Sequence, residues 1–418
     1  MLRPGSNEVA LHANFGVLVS PDGGGAWKLV CEELIGSTLI SSARWSAAGD
    51  IHVASYDGLF RSAGPSCAWA EGRGDLAGQS VWDVAFDPTS TARILALATD
   101  RTTDAVALHE SLDAGVTYAR KTTFRAGIRL NQVAIAPSDP MTVYLAGYAT
   151  SPYRFVMEYT TDGGATWDEL LPAGGFVGAD VTLVGVSPDD PRTVYFSRVG
   201  ASSTVADDLW RSTDHGRAPQ QILKLNGAEL QKGFAFGADG RTLYVAGREV
   251  APLGEPSRGT LYVSRDRGDT FAPPRPGGPA YRCLGYRAGR LYACAGDEAA
   301  GDRFALGISD DEGTTWTGLL AFRDLAGPVA CAGDRCVTTM AWLCALYGVC
   351  AGAPADAGVA PPDAGARDGA ADGPPGSGDD GCRVAGGAQL SPLSPSSSAA
   401  GCLLAFLSAL RRGRRPGS

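Results

Sequence analysis

Short apolar runs alternate with polar turns along most of the chain, and they follow a repeated order. Residues 131–147 read NQVAIAPSDPMTVYLAG, which is an apolar run, a Pro-Ser-Asp-Pro turn and a second apolar run. Residues 181–197 (VTLVGVSPDDPRTVYFS) repeat this order closely, and residues 81–98 repeat it more loosely. A third run, such as 259–263 (GTLYV), leads into another polar turn, and a fourth run follows. Runs of this length bounded by Gly, Pro and Asp predict four short antiparallel strands in each repeat.

An eight-residue polar turn marks each repeat, and we call it the turn frame: hydroxyl-x-Asp-x-Gly-x-Thr-aromatic. Its clearest copy is 160–167 (TTDGGATW). Further copies begin at residues 20, 62, 111, 212, 264 and 309, so seven copies recur at intervals of 42 to 52 residues. The copies at 62 (SAGPSCAW) and 212 (STDHGRAP) are eroded. Seven repeats of this size predict an all-β, seven-bladed β-propeller of four-stranded antiparallel blades.

The residue types of the turn frame suit a tight turn between two strands. The Asp carboxylate can accept backbone N–H groups of its own turn, and the Gly supplies a positive φ. The closing aromatic enters the next strand and packs between sheets. Turn chemistry accounts for every position, so we expect a structural role and assign no catalytic, cofactor-binding or metal-binding residue. The residues expected to act structurally are Asp22, Trp27, Asp113, Tyr118, Asp162, Trp167, Asp214, Asp266, Phe271, Asp311 and Trp316.

The beginning of the chain fits the repeat with an offset. Residues 3–11 align with residues 136–144, so Met1 is expected within the turn between the first two strands of blade one. Two explanations, which can both be true, are compatible with this alignment. In one, the true start lies upstream, together with a missing strand and a secretory signal. In the other, residues 327–337 (GPVACAGDRCV) return to supply that first strand and close the ring.

The composition changes abruptly towards the C-terminus. Residues 351–381 are mainly Ala, Gly, Pro and Asp, which predicts a disordered linker after a propeller at 1–350. Residues 382–418 contain Cys382, a Ser/Pro stretch, a 12-residue apolar run at 399–410 and a terminal Arg cluster. This order is typical of a C-terminal sorting and membrane segment whose arginines stay on the cytoplasmic side. The alternative is an ordinary frayed tail, because apolar and then basic endings also occur without sorting.

Composition and charge argue against several classes of function. The hydrophobic content of 44% suffices for a large core, and 56 Gly with 4 Met fit a turn-rich all-β protein. The net charge of −9 argues against a nucleic-acid partner, which needs a basic face. The histidines fall in different repeats, which argues against a clustered metal site: His12, His52, His109 and His215. We expect a monomer without cofactor.

Ten cysteines without a C-x-x-C pair favour disulfides in an oxidising compartment over a zinc or redox site. Cys283 and Cys294 flank one predicted hairpin. Four more crowd the end of the predicted propeller: Cys331, Cys336, Cys344 and Cys350. The sequence leaves the pairing open. The alternative is a set of buried free thiols.

The turn frame resembles the Asp-box, or BNR repeat, from residue 1 to about residue 325. Proteins with this repeat include sialidases, sortilin-type receptors, cellulose- and xyloglucan-acting glycosidases and photosystem II assembly factors of the Ycf48 and Hcf136 kind. The resemblance implies the propeller fold without selecting among these activities. Residues 381–415 resemble the myxobacterial C-terminal sorting signal (MYXO-CTERM), in which the cysteine, here Cys382, lies at the processing and anchoring site.

Two hypotheses about function follow. The preferred one is an exported, surface-anchored propeller that binds a glycan or protein ligand without catalysis and meets the membrane only through its C-terminal segment. An assembly-factor-like role would share this binding logic and differ only in the partner. The alternative is an exo-acting glycoside hydrolase, sialidase-like or of another BNR-repeat kind.

The glycosidase hypothesis lacks a recognisable site. The Phe/Tyr-Arg-Ile-Pro motif of sialidases is absent, and sialidase propellers have six blades. Other glycosidases need two carboxylates about 5–10 Å apart. Several acidic residues lie in segments that could reach a propeller face, and we assign a catalytic role to none: Asp100, Asp104, Glu110, Asp207 and Asp208.

Overall fold

The computed structural model describes residues 1–37, 39–64, 67–170, 180–199, 207–225, 228–230, 233–249, 258–296 and 304–348. The chain divides into two compact units, Met1–Ala357 and Gly358–Ser418, and every described residue belongs to the first. The predicted linker at 351–381 and the predicted sorting segment at 382–418, which includes Cys382, lie outside the described residues.

Seven sheets follow one another along the chain, and they confirm the predicted seven-bladed β-propeller. Within a blade, strands that are consecutive in sequence pair antiparallel, from an inner first strand to an outer fourth strand. Blade 1 contains β1 (Val9–Ala13), β2 (Gly16–Ser20) and β3 (Lys28–Cys31), and α1 (Glu32–Ile35) follows it. Blade 2 contains β4 (Ile40–Trp45), β5 (Asp50–Ser55), β6 (Gly58–Ala63) and β7 (Ala70–Glu71).

Blade 3 adds a parallel outer strand, β8 (Arg73–Gly74), to β9 (Ser80–Phe86), β10 (Ile94–Thr99), β11 (Val106–Ser111) and β12 (Thr117–Thr123). Blade 4 contains β13 (Ile128–Ala136), β14 (Asp139–Thr150), β15 (Tyr153–Thr160) and β16 (Asp168–Leu170). Blade 5 contains β17 (Val181–Val186), β18 (Val194–Arg198), β19 (Asp208–Ser212) and β20 (Gln220–Lys224).

Blade 6 divides its inner position between two short strands, because β21 (Ala228–Glu229) and β22 (Phe234–Phe236) both pair with β23 (Leu243–Glu249). Its outer strands are β24 (Gly259–Ser264) and β25 (Arg275–Gly278). Blade 7 contains β26 (Cys283–Arg287), β27 (Arg290–Cys294), β28 (Leu306–Ser309) and β29 (Thr317–Leu320). Two 3-10 helices, Phe322–Asp324 and Ala330–Cys336, and the helix α2 (Val337–Tyr347) follow blade 7.

The hydrophobic core lies between blades rather than within one. The second strand β10 is buried at all six positions, whereas the outer strand β12 is buried at one position of seven. A strand covered on both faces reads as a continuous apolar run, which is the pattern that the sequence shows for these strands. One cluster joins Leu97 of blade 3 to Leu145 of blade 4, and similar clusters join other neighbouring blades.

The ring closes at the outer edge of blade 1. Pro328 lies opposite Leu29 of β3 in a parallel bridge. The Leu29 N–H donates to the Gly327 carbonyl at 3.0 Å, and the Val329 N–H donates to the Leu29 carbonyl at 2.9 Å. The expectation that residues 327–337 supply the first, innermost strand of this blade is therefore wrong.

Residues at the start of the chain occupy that inner position. Leu2 bridges Val9 antiparallel, and the Ala10 N–H donates to the Met1 carbonyl at 2.9 Å. The alignment predicted that Met1 lies within a turn, and this prediction is wrong. Met1 instead pairs alongside β1. Because this inner edge is already paired, the returning chain adds to the free outer edge of β3.

Disulfides fix the closing segment. Cys31 at the end of β3 bonds to Cys336, and Cys67 of blade 2 bonds to Cys331. A third bond, Cys283–Cys294, joins the first two strands of blade 7. Cys344 of α2 is also disulfide-bonded. These bonds indicate an oxidising, extracellular environment. Among the described residues, no helix has the length and apolar character needed to cross a membrane.

Closure of the ring through Cys31–Cys336 predicts an order of stability among disulfide variants. Replacing both Cys31 and Cys336 by Ser should lower the free energy of unfolding by about 2–5 kcal/mol, the usual range for a native disulfide. The matched control, Cys283 and Cys294 both changed to Ser, should cost less. The first bond spans 305 residues and the second spans 11, so the first restricts the unfolded chain more. Denaturant unfolding without reductant measures both losses. Equal losses would contradict a special role of Cys31–Cys336 in closure.

Candidate functional site

The antiparallel blades give the propeller two chemically different faces. Each turn frame connects the third and fourth strands of its blade, so the turn frames lie on one face, which we call the turn-frame face. The connections between second and third strands, and those from one blade to the next, lie at the opposite ends of the strands. We call that side the mouth face.

The turn frame of blade 4 shows how its residues act. The Asp162 carboxylate accepts the N–H groups of Ala165 and Thr166 at 2.9 and 3.0 Å, and the Thr166 hydroxyl at 2.6 Å. The Thr160 hydroxyl donates to Asp162 and accepts the Gly164 N–H at 3.0 Å. Gly164 has a φ of +95°, which a residue with a Cβ seldom adopts. The sequence indicated the roles of Asp and Gly, but it did not identify the hydroxyl as the link between them.

The same contacts recur in six copies. The residue four positions after each Asp donates its N–H to that Asp at 2.8–3.0 Å, and the Gly two positions after it donates to the frame hydroxyl at 2.7–3.0 Å. The aspartates concerned are Asp22, Asp113, Asp162, Asp214, Asp266 and Asp311. Hydrogen bonds from the Thr117 hydroxyl and N–H lower the pKa of Asp113 to about 2, and Thr270 does the same for Asp266.

The closing aromatics of the turn frames pack against the preceding blade. The Trp27 indole N–H donates to the Leu319 carbonyl of blade 7 at 3.0 Å. The Trp167 ring meets the Phe124 ring edge-on at 5.4 Å, and Trp316 meets Tyr281 at 5.7 Å. The other two join clusters with residues of the blade before them: Tyr118 and Phe271. The predicted site residues described so far are thus spread around the ring in separate turns, and they form no common pocket.

A central channel is the place where side chains from all blades converge. It has a volume of about 1170 Å³ and is lined mainly by the first strands of the blades. This volume exceeds the ~300–1,000 Å³ of small-molecule sites. The charged side chains among its described lining residues are few: Arg44, Asp83, Asp180 and Arg282.

Asp83 acts as a bridge between three neighbouring first strands. It accepts two bonds at 3.0 Å from the guanidinium of Arg44 in blade 2, and a third at 3.0 Å from the Ser42 hydroxyl. It also accepts the Val133 N–H of blade 4 at 3.2 Å. Gln132 forms a comparable link, because its amide exchanges two hydrogen bonds with the backbone of Leu183 in blade 5. These polar groups are committed to holding the ring together.

Four aromatic side chains of blades 3 and 4 line the channel. Phe155 is buried, and we call the other three the aromatic arc: Trp82, Tyr148 and Tyr153. The Trp82 indole N–H donates to the Thr99 hydroxyl at 2.8 Å, and the Tyr153 hydroxyl donates to the Asp180 carboxylate. The Tyr148 and Tyr153 rings lie 5.3 Å apart. Trp82 and Tyr153 are 36% and 43% exposed, respectively. Their polar ends are thus anchored while much of each ring stays accessible.

Arg282 lies on blade 7, across the seven-membered ring from the aromatic arc. It immediately precedes β26, whose start is at the mouth face, and its side chain is exposed. The Arg282 N–H donates to the Cys294 carbonyl at 2.9 Å, next to the Cys283–Cys294 disulfide. Its guanidinium has no hydrogen-bond or ion-pair partner in the described part of the chain. Helix α2 borders the same mouth near blade 1, since Tyr347 lines the channel.

The acidic residues considered for catalysis each have a structural partner. Asp100 accepts two backbone N–H groups of its own loop at 2.8 Å, and Asp104 pairs with Arg129. Glu110 forms ion pairs with Arg93 and Lys121 at 2.8 and 2.7 Å. Asp207 accepts the Leu230 N–H at 2.7 Å, and Asp208 pairs with Arg198. These residues do not line the channel.

The histidines lie in different environments. His12 lines the channel, whereas His52 and His109 are fully buried. Burial lowers the pKa of His52 to about 3 and that of His109 to about 4. His215 stacks on Tyr159 with ring centroids 4.9 Å apart. Within the described ranges, no group of three or more His, Cys, Asp or Glu side chains could hold a metal ion.

Blade 4 also holds a buried carboxyl with an unusual pKa. Glu158 of β15 lies opposite Glu169 of β16, and it is 5% exposed. Arg125 donates two hydrogen bonds to Glu169, at 2.5 and 2.8 Å. Burial, followed by repulsion from Glu169, raises the pKa of Glu158 to about 7.

Comparison with known proteins gives distant similarities. No family model matches the chain, and no curated protein matches it. A hydrazine synthase from Kuenenia stuttgartiensis is 11% identical over 70% of this chain and 91% of its own, with a TM-score of 0.49. A GH74 enzyme from Niastella koreensis is 14% identical over 76% and 64%, with a TM-score of 0.43. YCF48 bound to a D1 peptide is 12% identical over 66% and 82%, with a TM-score of 0.44.

This chain spans only 38% to 64% of the length of three similar GH74 structures. Identities and TM-scores this low do not carry a functional argument. The propeller assignment rests on the strand pairing of the chain itself.

The hydrogen bonds of the turn frame predict the effect of one substitution. Asp162→Ala should lower the melting temperature by a few degrees, because it leaves the Ala165 and Thr166 N–H groups without their acceptor. The control is Asp168→Ala in the same blade, whose side chain is 66% exposed. It should leave the melting temperature nearly unchanged. Thermal unfolding followed by circular dichroism measures both, and equal shifts would contradict a special role for Asp162.

The raised pKa of Glu158 predicts a pH dependence with a definite sign. Its pKa is about 7 in the folded protein against an ordinary value of 4.5, so the folded state binds more protons between these values. Its contribution to stability should therefore fall as the pH rises from 4.5 to about 7. Glu158→Gln should remove this decline. Its free energy of unfolding, compared with that of the wild type, should therefore be more favourable at pH 8 than at pH 4. The control is Glu71→Gln at an exposed edge, and denaturant titrations across this range give the comparison. A Glu158→Gln protein with the wild-type pH slope would refute the assignment.

Proposed function

We propose that this propeller is a non-catalytic binding module that holds a glycan at the mouth of its central channel. The observation that carries the proposal is the aromatic arc, in which Trp82 and Tyr153 are anchored by their polar ends and keep accessible rings. A sugar ring presents apolar C–H groups that pack on such rings, and its hydroxyls suit nearby polar groups. Rings fixed before binding lose little conformational entropy when a ligand arrives.

The carboxylates of the channel support binding over hydrolysis. Glycoside hydrolysis needs two carboxyl groups placed on either side of a sugar. Asp83 is engaged by Arg44, Ser42 and a backbone N–H, while Asp180 accepts the Tyr153 hydroxyl. Both groups therefore already serve to position other parts of the channel. The exo-acting glycosidase stays the alternative, with hydrolysis as its distinguishing outcome.

We further propose that the module is exported and anchored at the cell surface through its C-terminal segment. The disulfides support export, and the resemblance of residues 381–415 to a sorting signal supports anchoring at Cys382. Peptide mapping of surface-labelled cells tests this proposal. Recovery of labelled propeller peptides and a mature C-terminus near Cys382 are the expected results. A full-length chain found only inside the cell would overturn it.

The binding proposal predicts which variants lose affinity. Trp82→Ala and Tyr153→Ala should each weaken glycan binding about tenfold or more, the size of effect that truncating a central aromatic anchor has. Tyr56→Ala is the matched control, because Tyr56 is 51% exposed but does not line the channel. A glycan array identifies the bound glycan, and isothermal titration calorimetry measures each variant.

Two results would contradict the proposal. Equal losses for Tyr56→Ala and Tyr153→Ala would contradict a binding site formed by the aromatic arc. Release of new reducing ends from the bound glycan, abolished by a mutation in the channel, would establish the glycosidase alternative.

A further inference from the structure

The mouth is chemically asymmetric. Blades 3 and 4 contribute the aromatic arc, and blade 7, on the opposite side of a seven-membered ring, contributes Arg282. A ligand that spans the channel therefore meets accessible rings on one side and a guanidinium on the other. The channel volume of about 1170 Å³ favours an oligosaccharide over a single sugar unit.

The two arginines of the channel differ in whether their guanidinium groups already have a partner in the protein. Arg44 donates to both oxygens of Asp83, so its charge is balanced within the protein. Arg282 has no such partner among the described residues, and its side chain is exposed to the channel. No hydrogen bond or ion pair of the described fold uses the Arg282 guanidinium. A planar group with five N–H donors is suited to a carboxylate or another oxyanion.

The backbone beneath Arg282 is held in place. Its N–H donates to the Cys294 carbonyl, and the Cys283–Cys294 disulfide joins the two strands at the adjacent position. These constraints fix the backbone from which the Arg282 side chain extends, while the guanidinium itself has no partner among the described residues. The chain as a whole has a net charge of −9, which disfavours anions at long range, so the attraction for an anion rests on the Arg282 guanidinium at short range.

We propose that the ligand is an anionic oligosaccharide whose acidic group is bound by Arg282 while its neighbouring sugar rings pack on the aromatic arc. This inference rests on the proposed glycan-binding function and specifies its ligand class. The acidic group can be the carboxylate of a uronic acid or a sulfate ester, which share the oxyanion chemistry that a guanidinium recognises.

The test compares hexasaccharides that differ only in charge. Calorimetry is performed on the full-length protein with hexamers of glucuronate, galacturonate and mannuronate, and with their carboxyl-reduced forms, in which each carboxylate is a CH₂OH group. A sulfated neutral hexamer is included to separate the two sources of negative charge. At least one acidic hexamer should bind about 10- to 100-fold more tightly than its neutral counterpart, as expected for a hydrogen-bonded charge. Its affinity should fall as the salt concentration rises.

Two arginine variants test whether Arg282 binds the acidic group of the hexamer. Arg282→Ala should reduce the affinity for the acidic hexamer to that for the neutral one and leave neutral binding unchanged. Arg241→Ala is the matched control, since Arg241 is an exposed arginine in the turn between β22 and β23, on the turn-frame face. It should retain the wild-type preference. Melting temperatures verify that both variants are folded.

The outcomes separate this inference from the proposed function. If neutral and acidic hexamers bind equally and Tyr153→Ala weakens both, the glycan-binding function stands and the anionic preference is overturned. If acidic hexamers are preferred but Arg282→Ala has no effect, the assignment to Arg282 is overturned. If none of the hexamers binds at millimolar concentration while the glycan array still gives a neutral ligand, only the anionic inference fails. If the array gives no ligand either, both proposals fail.

Discussion

Burial of the two apolar faces of each blade is the constraint on which the structure depends. A single sheet such as that of blade 4 has the wholly buried strand segment Thr142–Gly147 at its centre, and only a neighbouring blade on each side can cover it. A row of such sheets leaves an uncovered face at each end, and closure into a ring covers both faces. The outer pairing at Leu29 and the Cys31–Cys336 bond are consequences of this need, because they hold the last segment of the propeller to its first blade.

The same constraint separates the structural residues from those that can bind a ligand. In the turn frames, the Asp and hydroxyl groups form local hydrogen bonds, and the aromatic side chains pack against the preceding blade. Inside the channel, Asp83 and Gln132 are likewise used to join neighbouring first strands. At the mouth, the rings of Trp82 and Tyr153 stay accessible although their polar ends are hydrogen-bonded, and the Arg282 guanidinium has no partner among the described residues. Function in this fold therefore belongs to the residues that packing does not require.

Much of the fold could be read from the chain, because its signals are local. The seven copies of the turn frame predicted seven blades, and the order of apolar runs predicted four strands in each blade. The error at blade 1 has a physical reason. The sequence of residues 327–337 raised the possibility that a segment returns to the ring, but it does not show which strand edge is free. Residues 1–3 occupy the inner edge, so the returning chain pairs with the outer one.

The candidate binding site was not predictable in this way. Trp82, Tyr153 and Arg282 belong to different blades, stand in no common motif and look like ordinary strand or loop residues in the sequence. By itself the sequence determined the turns, the strand periodicity and the number of blades, since these depend on residues within a few positions of one another. Tertiary structure alone decided the disulfide partners, the closing edge and the asymmetry of the mouth. These features depend on contacts between segments far apart in the sequence, which form when the ring closes. A local sequence pattern does not specify such contacts.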